Sequence, residues 1–162
     1  MRAPRGFHLR VAQPADTAAL LRVRTAAHEN HLSLAELAER GITADALTAL
    51  LDGTPTSAWV AEDAAGSVVG FAMVDLDEAS LFALFVLPEH EGHGIGSALL
   101  TEAEAALFAQ HPRAWLETAA NSGAAALYRA RGWGDAQDIG DGDVRLHKAR
   151  PAIVGRLAYR AA

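Results

Sequence analysis

The chain contains no cysteine. Disulfides, thiolate nucleophiles and zinc–sulfur sites are thereby excluded, and any group transfer has to proceed without a cysteinyl intermediate. Long hydrophobic runs are also missing. The longest, Leu81 to Leu87, falls far short of the ~20 residues a membrane-spanning helix needs, so no membrane partner is expected. The start, Met1-Arg2-Ala3-Pro4-Arg5-Gly6, is basic but has no apolar stretch behind it and does not read as a signal peptide. A soluble, cytoplasmic protein is the expectation. A basic excess is lacking as well, since the formal net charge is -6 and the isoelectric point about 5.6. Nucleic acid, a polyanion, is therefore not an expected partner. An acidic surface instead favours a cationic acceptor such as an amine.

What is present is 162 residues, 51% hydrophobic and 21% charged. Those values suit one domain with a sizeable core, with residues 7–148 as the body of a 1–162 unit and residues 151–162 as a tail that fits no element. Strands are predicted over Phe7–Val11, Ser57–Glu62, Ser67–Val74, Leu81–Leu87 and Ala114–Thr118. Two more follow, from Trp133 onwards and over Val144–Lys148, with Asp141-Gly142 at the turn between them. Helices are predicted from Pro14-Ala15-Asp16 with Asp16 as N-cap, over Ser33–Arg40 closed by Gly41, over Thr43–Leu51, Ile95–Gln110 and Ser122–Arg131. In the longest, Ile95, Ala98, Leu99, Ala103, Ala106 and Leu107 recur at helical spacing, while Thr101 and Glu104 fall on the other side. Leu81–Leu87 shows no polar alternation, which predicts a central strand covered on both faces. The order implies an α/β fold of about six to seven strands with helices on both faces.

Between the strand ending at Leu87 and the helix from Ile95 lie Gly92, Gly94 and Gly96, three glycines in five positions. Bare backbone N–H groups at a helix N-terminus meet aligned peptide dipoles worth about half a positive charge, a geometry that binds phosphate without lysine or arginine. A nucleotide P-loop needs Gly-Lys-Ser/Thr, whereas Gly96 is followed by Ser97-Ala98. A dinucleotide fingerprint needs a third glycine where Ser97 stands. His90-Glu91-Gly92-His93 is one residue short of the helical zinc motif, and no metal is expected.

Val86-Leu87-Pro88 followed by Glu91-Gly92-His93-Gly94-Ile95-Gly96 resembles the pyrophosphate-binding motif of the GNAT superfamily of acyl-CoA-dependent N-acetyltransferases, which runs Gln/Arg-x-x-Gly-x-Gly/Ala. Asn121-Ser122-Gly123-Ala124-Ala125-Ala126-Leu127-Tyr128, closed by Gly132-Trp133, resembles the family's second signature, at the expected separation. The resemblance implies a mostly antiparallel sheet splayed between its fourth and fifth strands, acetyl-CoA as cosubstrate and a small-molecule or peptide amine as partner. Homodimers are common in that family. The implied activity is acetyl transfer to a primary amine by direct attack in a ternary complex. The alternative is a non-catalytic domain that binds acyl-CoA as a sensor or interaction module.

The resemblance also implies roles for residues. Glu91, Gly92, His93, Gly94, Ile95, Gly96 and Ser97 would hold the diphosphate, with Asn121, Ala124 and Tyr128 completing the cofactor site. The pantetheine arm would pair with Leu84-Phe85-Val86, where a bulge splays that strand from Trp115–Thr118. A backbone N–H of about Phe85 or Val86 would serve the thioester oxygen. Tyr128, almost two turns after Asn121, is the acid for the departing thiolate. Candidates for the general base are Glu117, beside the splay, Glu29, at the end of the first helix, and Asp75 and Asp77, with a water chain as a further route. Glu91 departs from the family's Gln or Arg, and a carboxylate ~4 Å from a phosphate costs roughly 1 kcal/mol in water. Its backbone N–H is expected to serve the phosphate while its side chain points to solvent, with a protonated His93 offsetting the repulsion.

Overall fold

The computed structural model describes residues 1–27, 31–55 and 57–152. The elements run β1 (His8–Val11), α1 (Thr17–Thr25), α2 (Leu34–Glu39), α3 (Ala44–Leu51), β2 (Ala58–Glu62), β3 (Val68–Asp75), β4 (Ser80–Val86), α4 (Ile95–Gln110), β5 (Arg113–Ala119), α5 (Gly123–Ala130), β6 (Gly134–Gly140) and β7 (Asp143–Ala149). They build one seven-stranded sheet in the order β1-β2-β3-β4-β5-β7-β6. Every neighbouring pair is antiparallel except β4–β5, which is parallel. Local chemistry explains most element ends. Ser33 and Glu36 exchange side-chain and backbone hydrogen bonds in a capping box ahead of α2. Gly41 (φ +80) closes that helix, and Asp141-Gly142, both at positive φ, turns β6 into β7.

The core lies between the sheet and α1 on one side and α4 on the other, with Leu20, Leu99, Leu100, Leu107, Leu116 and Leu146 wholly buried. Each such side chain contributes about 1.5–3 kcal/mol on leaving water. No helix among the described residues is long and apolar enough to cross a membrane.

Three expectations from the sequence are corrected. Asp16 holds the N-cap position of α1, but its side chain makes no capping hydrogen bond there. It sits in a 3-10 turn (Pro14–Asp16), where its carboxylate accepts the Gln13 amide and two hydrogen bonds from Arg10, both at 2.8 Å. Its partner lies across the chain's first turn, beyond what a capping pattern can reveal. Glu104 does not face solvent. It is 8% exposed, because three donors from distant parts of the chain converge on it. And β4 is fourth of seven but is not covered along its length. β3 is the strand buried on both faces, whereas Phe82 of β4 is 51% exposed and the residues after it are half-buried.

The hydrogen bonds from Arg10 hold the Asp16 carboxyl below the usual carboxylate range. A depressed carboxyl pKa stabilises the fold fully above the unfolded value of about 3.9, and that contribution disappears as pH falls through the folded value. The difference in Tm between the wild type and Asp16→Asn is therefore expected to be constant near neutrality and to shrink below about pH 4. Thermal melts of both proteins from neutral pH down to the acid limit test this. A gap that persists unchanged at the acid end overturns it.

Candidate functional site

β3 and β4 pair in one register from Gly70–Val86 to Met73–Ala83 and in another at Val74–Leu81. The extra residue on β4 is Phe82, so the bulge lies two to four residues before Leu84-Phe85-Val86 rather than within them. A bulge bends and twists the strand that carries it. β4 and β5 then pair only at Ser80–Trp115 and Leu81–Leu116. Beyond Phe82 they diverge, and a cleft of about 500 Å³ opens between them.

Backbone direction decides between Phe85 and Val86. Leu87 donates its amide to the Val69 carbonyl at 2.8 Å. Amides alternate sides along a strand, so the Phe85 amide also faces β3, while those of Leu84 and Val86 face the gap. Val86 is the donor that the cleft can use.

The glycine loop forms the cleft's floor at its far end. A 3-10 turn (Pro88–His90) leads out of β4, and the Glu91 amide is bonded to the Pro88 carbonyl at 3.2 Å. The expectation that Glu91 offers its N–H is thus corrected: the turn already uses it. Gly94, the N-cap of α4, has φ +83, a left-handed conformation that side chains resist. Ala98 closes the first helical hydrogen bond, onto the Gly94 carbonyl. The amides of Ile95, Gly96 and Ser97 precede that bond and have no helical partner. A Cβ on Gly96 would already touch Leu127 at 3.4 Å, so the loop packs closely against α5.

Most of the residues singled out in the sequence meet here. Leu84, Phe85, Val86, Glu91, Gly92, Gly94, Ile95, Gly96, Ser97, Glu117, Ala124 and Tyr128 all line the cleft. His93 and Asn121 do not line it. His93 is exposed and packs at 6.1 Å from Phe7 and 6.5 Å from His90. Asn121 is exposed too, and Ser122 caps α5 by accepting from the Ala125 amide. Glu29 lies outside the described residues. Asp75 serves its own turn by accepting from the Asp77 and Glu78 amides, and neither Asp75 nor Asp77 lines the cleft. Glu117 is ion-paired with Arg145 at 2.7 Å, and that guanidinium stacks 4.2 Å above the Trp115 ring.

Tyr128 is 5% exposed, with its ring edge-on to Trp133 at 6.3 Å. Arg24 lies 4.3 Å over the Phe85 ring, and burial pushes its guanidinium below its ordinary pKa, with repulsion from Arg40 adding to the effect. Arg24 and Arg145 are charges that sequence reading missed. Their significance depends on partners 61 and 28 residues away, Phe85 and Glu117.

The sequence matches the acetyltransferase (GNAT) domain family over residues 54–134, half of the chain. The chain belongs to the GNAT family. Solved structures share the fold at low sequence identity. The ribosomal-protein-S18-alanine N-acetyltransferase from Escherichia coli is 23% identical, covering 90% of this chain and 95% of that one at a TM-score of 0.67. The PaiA N-acetyltransferase from Thermoplasma acidophilum, in complex with coenzyme A, is 18% identical over 88% and 98% of the two chains, TM-score 0.72. YncA from Salmonella typhimurium, solved with its cofactor acetyl-CoA, is 19% identical over 90% and 95%, TM-score 0.62. No curated protein matched the sequence.

The side chain of Glu91 carries a further expectation. It is exposed at the cleft rim and directly precedes Gly92. Glu91→Gln removes a like charge from the diphosphate's surroundings. Coenzyme A affinity by calorimetry is expected to stay the same or improve, and a marked loss would give the carboxylate a positive role.

Proposed function

We propose that this GNAT protein transfers the acetyl group of acetyl-CoA to a primary amine, by direct attack in a ternary complex. The observation that carries the reading is the parting of β4 from β5, with the Val86 amide, the glycine loop and Tyr128 all on the one cleft. Acetyl-CoA, when bound, supplies the activated acyl group as a thioester. The amides of Ile95, Gly96 and Ser97 suit its diphosphate, and the Leu84 and Val86 amides suit an extended arm laid along β4. The two neighbours solved with coenzyme A or acetyl-CoA accord with that ligand class.

Each residue then has a stated task. The Val86 N–H receives the charge that develops on the thioester oxygen as the amine nitrogen bonds to the carbonyl carbon. The Tyr128 hydroxyl gives its proton to sulfur as the carbon–sulfur bond breaks. Glu117 stands at the wall of the cleft beside Arg145, where its carboxylate can attract an amine. For it to take the amine's proton, directly or through water, its pair with Arg145 has to open or be shared. The acceptor is a small-molecule or peptide amine, in keeping with the net charge of -6.

Free thiol release from acetyl-CoA, measured with a panel of amines, is the test. Turnover on at least one amine is expected. Tight coenzyme binding without turnover on any amine would favour the sensor reading. Thermal shift with coenzyme A separates both from a loop that binds nothing, since a ligand at about 100 times its Kd stabilises the fold by ~2.7 kcal/mol.

A further inference from the structure

Arg131 stands at the C-terminal end of α5, where a basic residue is an ordinary helix-end feature. Its guanidinium is committed elsewhere. Nη1 donates to the Ser97 carbonyl at 3.0 Å and to the Ser97 hydroxyl at 2.8 Å. Nη2 donates to the Thr101 hydroxyl at 3.0 Å and reaches Glu104 at 3.4 Å. Ser97 is in the first turn of α4 and lines the cleft. A serine hydroxyl has one proton and two lone pairs. Arg131 occupies one of those lone pairs, and among the described residues no group accepts the Ser97 proton. The hydroxyl proton of this cleft-lining residue is therefore available to a ligand.

The charge balance points the same way. Glu104 is the carboxylate paired with both Arg131 and Lys148, so that one negative charge faces two positive ones. Glu104 thus matches one of the two positive charges, while the loop from Pro88 to Gly94 carries Glu89 and Glu91 but no lysine or arginine of its own.

We infer that Arg131 is a positioning residue for the coenzyme: it turns the Ser97 hydroxyl to donate to a diphosphate oxygen and supplies the positive charge that the glycine loop lacks. The inference rests on the proposed acetyl-CoA site. Arg131 acts through Ser97 and so makes no contact with the reacting atoms.

The test is calorimetric titration of coenzyme A into the full chain as wild type, Arg131→Met, Ser97→Ala, the double variant and Thr101→Ala. Methionine keeps the length of the aliphatic stem and removes the guanidinium. Each of the first two single substitutions is expected to weaken binding about tenfold or more, the scale of a hydrogen bond to a charged group. The double variant is expected to lose much less than the product of the two factors, because one interaction runs through the other. Dephospho-coenzyme A, which keeps the diphosphate but lacks the 3′-phosphate, should lose affinity by the same factors. Thr101→Ala removes a hydroxyl that accepts from Arg131 Nη2 and donates to the Ser97 carbonyl but leaves the two Arg131–Ser97 hydrogen bonds in place. It should therefore cost much less affinity than Arg131→Met, and a loss as large as that of Arg131→Met overturns the inference. Wild-type affinity in Arg131→Met, or losses that multiply, overturns the inference and leaves the proposed function standing. A wild type that takes up no coenzyme A overturns both. Should Arg131→Met fail to fold, Ser97→Ala decides alone, and unchanged affinity in it overturns the inference.

Discussion

Tyr128→Phe is expected to lower kcat by about 10²–10⁴-fold, the usual worth of a positioned proton donor. The substitution removes one oxygen and leaves the ring. Tyr128 is 5% exposed, lies edge-on to Trp133 and shares the α5 C-terminal turn with it through the Trp133 amide, which donates to the Tyr128 carbonyl at 3.0 Å. None of those contacts needs the hydroxyl. Coenzyme A affinity is expected to stay near wild type, because the hydroxyl is assigned a task only as the sulfur departs. An interaction made only as the sulfur departs is lost from kcat and from kcat/KM by the same factor. Steady-state kinetics with acetyl-CoA and an active amine, beside calorimetry, check the result. A variant with wild-type kcat takes the acid role from Tyr128. A variant that mainly loses affinity turns it into a binding residue.

Glu104→Ala is expected to cost about 3–5 kcal/mol of stability, the penalty for stranding buried charge by removing one partner. Its carboxylate accepts from Trp133 Nε1 at 2.9 Å, Lys148 Nζ at 3.0 Å and Arg131 Nη2 at 3.4 Å. The side chains of Glu104 and Lys148 are 10% and 13% exposed, so water cannot readily replace the lost acceptor. At roughly 2–4 °C per kcal/mol for a chain of this size, Tm falls by about 10 °C. Glu104→Gln keeps an acceptor for the indole and should lose distinctly less. Melts of the three proteins decide, and an alanine variant within two or three degrees of wild type would show that the cluster is structural ornament.

The glycine loop and the α5 signature were legible because their chemistry is local. A positive φ at Gly94 and unbonded amides at a helix start are properties of consecutive residues, and they can be read from spacing. The cap of α2 at Ser33 and the turn at Asp141-Gly142 were legible for the same reason. Four other assignments failed because a contact or bulge outside the pattern being read decided them. Asp16 looked like a cap, but Arg10 claims its carboxylate. Glu104 looked solvated, but it faces Trp133 and Lys148, 29 and 44 residues on. The β4 run looked like a strand covered on both faces, but the Phe82 bulge uncovers it. The Glu91 amide looked available, but a 3-10 turn consumes it.

The chain by itself determined the order of strands and helices, the phosphate-type loop and the placing of Tyr128 on a helix after the fifth strand, since each follows from hydrophobic period, turn chemistry or helix ends within a short window. The tertiary structure alone decided where β4 leaves β5, that Val86 rather than Phe85 faces the gap, and that Glu117 and Glu104 are held by arginine and lysine from β7 and α5. Those outcomes turn on strand register and on charges meeting across the sheet, and neither is encoded in neighbouring residues: a one-residue bulge redirects every side chain beyond it, and an ion pair exists only once the fold has brought its members together.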